Sequence, residues 1–148
     1  KVSSIRHGKQ NEMVTRSLYS RKMQKICKQF VVYDAGLVVN PAFPYVGGSP
    51  DGKVYDPTEQ EPHGLLEIKC LYVWRNNTME EACAQVQGRL GVLGLQWYDF
   101  VIHLTESHIL NVERIYFNKL YWEQDLLPKL HQFYFTLALP RLAKLSAS

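Results

Sequence analysis

Ser49-Pro50-Asp51-Gly52, followed by Leu65-Leu66-Glu67-Ile68-Lys69-Cys70, decides how this chain is read. The first string is a turn that releases an acid, and the second reads as a strand. Strand side chains alternate, so Glu67 and Lys69 point to one face and Ile68 to the other. Taken singly, both patterns are ordinary. Pro-Asp-Gly is a common turn, and Glu-x-Lys on a strand is usually a solvated ion pair. Here Leu65, Leu66, Ile68, Cys70 and Leu71 surround the two charges, so the strand should be central and the charges partly buried. Buried charges persist only when paired or metal-bound. Two carboxylates and an ammonium brought together can hold a divalent cation and manage the proton of an attacking water. That inventory is what metal-dependent phosphodiester hydrolysis requires.

Upstream of the turn, Tyr19, Met23, Ile26, Cys27 and Phe30 recur at helical spacing and predict a helix from about Lys9 to Phe30. Seven residues before Tyr19 lies Glu12, so an acid heads the inward stripe and needs a cation or donor nearby. As a bland alternative, Glu12 is a first-turn acid favoured by the helix dipole. Val31 to Val39 reads as one strand with Gly36 at a bulge, Asn40 to Gly52 as a loop, and Lys53 to Asp56 as a short strand. Downstream, Thr78 to Leu95 reads as a helix with Thr78 as N-cap and Glu81 at the capping-box position. Its apolar stripe is Met79, Ala82, Cys83, Val86, Leu90 and Leu93, flanked by Gln85 and Gln87. Gly88, Gly91 and Gly94 recur along it and should allow close approach of another element. Trp97 to Leu104 and Ile109 to Phe117 read as paired strands. Asn118 to about Lys144 reads as a helix capped by Asn118 and kinked or split at Pro128. The expected fold is α/β or α+β, a mixed sheet flanked by helices.

The 148 residues fit one domain with a proper core; 46% are hydrophobic and 21% charged. The chain lacks an initiator Met and is expected to be a piece of something longer, without an upstream N-terminal segment. No apolar run is long enough to span a bilayer, and no signal peptide is recognisable, so an intracellular protein, nuclear or cytoplasmic, is expected. The net charge of +3 permits a polyanionic partner without arguing for one. Cys27, Cys70 and Cys83 form no CxxC pair, which speaks against structural zinc and a disulfide framework.

In this order, helix Glu12, turn Asp51, strand Glu67-x-Lys69 and helix Gln85-x-Gln87 resemble the PD-(D/E)xK nuclease superfamily. More narrowly, they resemble its lambda-exonuclease-like, YqaJ viral recombinase family. The strings are His7-Gly8-Lys9-Gln10-Asn11-Glu12, Ser49-Pro50-Asp51-Gly52, Leu66-Glu67-Ile68-Lys69-Cys70 and Ala84-Gln85-Val86-Gln87-Gly88. The resemblance implies a restriction-endonuclease-like core and a deoxyribonuclease, 5′ to 3′ on DNA ends, acting in recombination or end processing. It implies Asp51 and Glu67 as principal metal ligands, the Ile68 carbonyl as a third oxygen and Glu12 at a second metal. Lys69 would position or activate the water, and Gln85, in preference to Gln87, would support it. Hard oxygen donors favour one or two Mg²⁺ or Mn²⁺ ions. The family's ring assemblies make a homo-oligomer an open expectation, as is a single-strand annealing partner protein.

Departures are visible. Leu71 stands where the family commonly has Pro, the loop from Leu71 to Asn77 is short, and the family's upstream arginine for a 5′-phosphate is not expected here, which leaves 5′-end recognition and polarity open. DNA contact candidates are Trp74 and Arg75 at a duplex end, Arg89 toward a phosphate, and Lys53 near the acids. Each has an equally ordinary reading as a core or surface residue. The rival functions are a structure-specific or nicking endonuclease of the same fold, a non-catalytic DNA-binding module, and an unrelated α/β domain with a structural Glu67–Lys69 pair.

Overall fold

A computed structural model describes residues 2–42, 47–71 and 77–147, with side chains described at 9–42, 48–71 and 85–147. Helix α1 (Val2–Gln24) precedes strands β1 (Val31–Tyr33), β2 (Val38–Val39), β3 (Gly47–Gly48), β4 (Gly52–Tyr55) and β5 (His63–Leu71). Helix α2 (Asn77–Leu93) then leads to β6 (Trp97–Leu104) and β7 (Ile109–Tyr116). Five strands form one mixed sheet in the order β1-β4-β5-β6-β7, and β2 pairs with β3 in a separate ribbon. The β5–β6 pair is parallel, with α2 as its crossover, and the other neighbours are antiparallel. The architecture is α+β, as the sequence implied.

Strand composition explains the order. Leu65 to Ile68 of β5 and Trp97 to His103 of β6 are buried throughout, as the parallel centre of a sheet covered on both faces must be. On β7, exposed and half-buried residues alternate, which suits an edge. Leu66, Ile68, Trp97 and Val101 pack with Tyr19 and Phe30 on the α1 face, where Met23 and Cys27 border them. Leu65, Tyr98, Phe100 and Ile102 pack with Val86 and Leu90 of α2 on the other face.

Several sequence expectations need correction. Helix α1 ends at Gln24, so Ile26 lies in the following turn, 78% exposed, and does not join the stripe. The segment from Val31 to Val39 is two strands in two sheets, because the chain leaves β1 at Asp34, which pairs with Arg16 at 2.7 Å. The expected loop before Gly52 contains β3. After β7, Asn118 caps the C-terminal helix as expected, accepting the Tyr121 N–H at 3.0 Å. This helix is not split at Pro128. Segments α3 (Lys119–Tyr121), α4 (Leu127–Phe133) and α5 (Leu139–Ser146) are joined by π-helical turns at Trp122–Leu126 and Tyr134–Ala138. Pro128 and Pro140 each follow a π turn. The wide turn relieves the clash between a proline ring and the carbonyl four residues back.

Close approach along α2 occurs at Gly91. A Cβ there would lie 2.3 Å from the Trp122 ring, so only glycine seats that indole. Gly94 ends the helix with φ +68, a backbone conformation suited to glycine, and its N–H reaches the Leu90 carbonyl. The proposed N-cap Thr78, and the side chains of Glu81, Met79, Ala82 and Cys83, lie outside the described side chains.

Candidate active site

The two faces of the sheet carry two different polar systems. Odd residues of β5 and even residues of β6 face α2, so Glu67 and Lys69 meet Tyr98 and Arg89 there. Glu67 is 5% exposed. Its Oε1 accepts from Lys69 Nζ at 2.8 Å, and its Oε2 accepts from Arg89 Nη1 at 2.5 Å and the Tyr98 hydroxyl at 3.1 Å. Arg89 Nη1 also donates to the Tyr98 oxygen at 3.0 Å. Burial opposes ionisation of Glu67, but hydrogen bonds and charge from Lys69 and Arg89 outweigh it and hold the carboxyl below its usual range. Tyr98, buried beside that carboxylate, has its phenol pushed up and stays protonated.

Asp51 reaches the same strand from the turn before β4. Its Oδ2 accepts the Ile68 N–H at 2.7 Å, and its own N–H donates to the Leu66 carbonyl at 3.0 Å. These bonds pin the acid beside the peptide between Glu67 and Lys69. Its carboxyl nevertheless titrates at about 6, up from 3.8. Burial is the chief cause. The Ile68 N–H opposes it, the negative charges of Glu67 and Glu12 add to it, and Lys69 partly offsets them. Glu12, half-buried on α1, is therefore electrostatically coupled to Asp51. One turn further along α1, Arg16 donates to the Asp51 carbonyl at 3.4 Å.

Asp51, Glu67 and Glu12 thus crowd negative charge where Lys69 and Arg89 supply the compensation. A hard divalent cation would relieve that crowding, and carboxylate and carbonyl oxygens are the donors it takes. The donor set fits such an ion. Among the described residues, no three Asp, Glu, His or Cys side chains already converge as a cage. Glu67 would have to share or surrender a cationic partner to coordinate metal.

The remaining candidates divide. Gln85 is exposed on α2. Gln87 is buried and spent on structure: its amide donates to the Tyr116 carbonyl at 2.8 Å and accepts the Asn118 N–H at 2.7 Å. Lys53 is exposed on β4. Trp74 and Arg75 lie outside the described residues. Tyr98 carried no sequence signal, because a tyrosine in an apolar strand reads as core until its hydroxyl partner is known. The helix position of Arg89 points it toward a phosphate, and its contact with Glu67 requires the tertiary fold.

The α1 face holds the second system. Arg114 donates through Nε to Asp99 at 2.8 Å and through Nη1 to Asp56 at 2.7 Å and Glu59 at 2.8 Å. Its guanidinium lies 3.9 Å from the Trp97 ring centroid, and Tyr19 donates to Asp99. Thr15 Oγ1 bonds His103 Nδ1 at 2.7 Å and lies 3.3 Å from Cys70 Sγ. These groups tie α1, β4, β6 and β7 together behind the site.

The domain described as the YqaJ-like viral recombinase domain matches residues 1–95. The chain belongs to this family. That stretch of the YqaJ-like chain holds Glu12, Asp51, Glu67, Lys69, Gln85 and Arg89. Membership removes the reading of an unrelated α/β domain. The fold is similar to that of an alkaline exonuclease from Laribacter hongkongensis, with a TM-score of 0.58 at 24% identity, over 89% of this chain and 72% of that one. The same exonuclease in complex with dAMP aligns at a TM-score of 0.48 and 25% identity, over 87% of this chain and 71% of that one. No curated protein sequence matches the chain. Among the described residues, no helix is long and apolar enough to cross a membrane.

Proposed function

We propose that this YqaJ-like chain is a Mg²⁺- or Mn²⁺-dependent deoxyribonuclease that resects DNA ends 5′ to 3′ in recombination or end processing. Family membership and the exonuclease fold support a nuclease of the recombinase type. The observation that carries the chemistry is the Asp51–Ile68 hydrogen bond, which fixes an acid against the strand presenting Glu67 and Lys69.

In this reading Asp51, Glu67 and the Ile68 carbonyl hold the cation, with Glu12 toward a second. When bound, the ion supplies Lewis acidity and makes water a better nucleophile near neutral pH. The chain's own groups do the rest. Lys69, half-buried and anchored to Glu67 Oε1, offers its ammonium to the attacking water or to charge growing on the phosphate. Tyr98, kept protonated, donates to Glu67 and fixes its orientation. Gln85 stands exposed on α2, where it could support Lys69 or the water. The test uses duplex DNA labelled at either 5′ or 3′ ends, as linear and as covalently closed circular substrate. Mg²⁺-dependent loss of the 5′ label, with circles intact, supports the proposal. Cleavage of circles favours the endonuclease, and Mg²⁺-insensitive inactivity on every substrate favours the non-catalytic module.

A further inference from the structure

Arg89 is the one member of the Glu67 cluster whose role the metal-dependent reading leaves open. Its guanidinium occupies Glu67 Oε2, one of the two oxygens through which this carboxylate can hold a cation, the other being taken by Lys69. The pairing is single-pronged, since Nη1 makes the contacts to both Glu67 and Tyr98. It lacks the two parallel bonds that make arginine–carboxylate pairs most persistent. The side chain keeps 23% of its surface exposed, so it has a way out toward solvent. Its stem runs against Gly48, where a Cβ would stand 3.1 Å from Arg89 Cγ; that glycine leaves the stem room.

We propose that Arg89 is a displaceable counter-ion of the site. It neutralises buried Glu67 while no cation is bound, and it yields Oε2 when a divalent cation arrives. The displaced guanidinium is then free to meet the phosphate the cation recruits. Without Arg89, Glu67 would keep only Lys69 as a cationic partner and the acidic cluster would be more negative by one charge. Metal-free protein would be less stable, and the divalent cation would bind more tightly. An arginine pair remote from the cation predicts the first effect without the second.

The inference rests on the proposed metal site, and calorimetry with MnCl₂ alone, without DNA, separates the two. Removing the positive charge that contacts Glu67 should tighten Mn²⁺ binding about tenfold in Arg89→Ala. Arg89→Lys, which keeps the charge, should bind Mn²⁺ within about threefold of wild type. Thermal melting supplies a second readout: Arg89→Ala should melt below wild type without Mn²⁺ and gain more on its addition. If Arg89→Ala proves unfolded without cation, Arg89→Met, which keeps the apolar stem and removes the charge, is measured in its place. Equal or weaker Mn²⁺ binding in Arg89→Ala, with wild type binding normally, overturns the counter-ion and leaves the metal site standing. Absence of Mn²⁺ binding in wild type and variants overturns both.

Discussion

Asp51 Oδ2 accepts the backbone N–H of Ile68 at 2.7 Å, so the acid from the turn is registered to the peptide between Glu67 and Lys69. Antiparallel pairing of Gly52 with Leu66 sets that register, and a one-residue slip would separate the acid from the Glu67–Lys69 face. The acid's titration follows from this position.

Cation binding should weaken as pH falls through about 6, where the Asp51 carboxyl becomes protonated. Binding measured at pH 5 should take up the cation with release of a proton, and binding at pH 8 should not. Calorimetry in buffers of different ionisation enthalpy reads that proton. Identical affinity and no proton release at both pH values would contradict the Asp51 assignment.

The same shift has a stability sign. The folded-state value lies above the unfolded one, so Asp51's contribution is fully present below 3.8 and is lost as pH rises through about 6. At neutral pH the ionised acid therefore costs stability in the cation-free protein. Asp51→Asn, which still accepts from Ile68, should melt higher than wild type at pH 8 and no higher at pH 3.5. Melting curves at the two pH values check this.

Arg114 should matter more to folding than any residue of the candidate site. It neutralises Asp99, which is fully buried, and Asp56, which is 3% exposed. Burial opposes the charge of Asp56, yet the hydrogen bonds from Thr58 and Arg114 keep its carboxyl below the usual range. Arg114→Ala leaves these acids uncompensated and should cost about 3–5 kcal/mol in urea unfolding. A loss under about 1 kcal/mol, the scale of a surface pair, would show that the network does not hold the sheet.

Gly91→Val should dislodge Trp122 and loosen the C-terminal helix without touching the β5 face. A side chain there meets the indole at 2.3 Å. Overpacking of this kind costs roughly 1–3 kcal/mol. Limited trypsin digestion should then cut faster after Lys129 than in wild type. Unchanged cleavage would mean that Trp122 does not anchor the helix.

Much of this was legible in the sequence because it is local. The apolar frame of Glu67 and Lys69 announces a central strand, and Pro50-Asp51-Gly52 announces the turn beside it. Helix spacing points to Tyr19 in the core, and Asn118 reads as a cap, whereas Phe30 reaches the core from beyond the end of α1. What the sequence concealed depends on partners brought from a distance. Arg89 meets Glu67 across 22 positions and Arg114 meets Asp56 across 58, spacings that carry no periodic signal. Asp56 and Asp99 read as ordinary strand-end and strand acids until the arginine between them is placed. The β2–β3 ribbon is two residues on each strand, too short for an alternation to register. The π turns before Pro128 and Pro140 are answers to prolines whose usual meaning is a break.

The central claim is that the strand carrying Glu67 and Lys69 cleaves DNA with a cation. Its most direct test is degradation of end-labelled linear duplex by wild type, Glu67→Ala and Lys69→Ala in Mg²⁺, each variant first shown to be folded. Loss of a transition-state contact in such a site costs on the order of 10²–10³-fold in rate. The wild type should shorten the duplex and EDTA should stop it, with both variants slowed by at least that factor. Duplex degradation at the wild-type rate by both folded variants would contradict the claim.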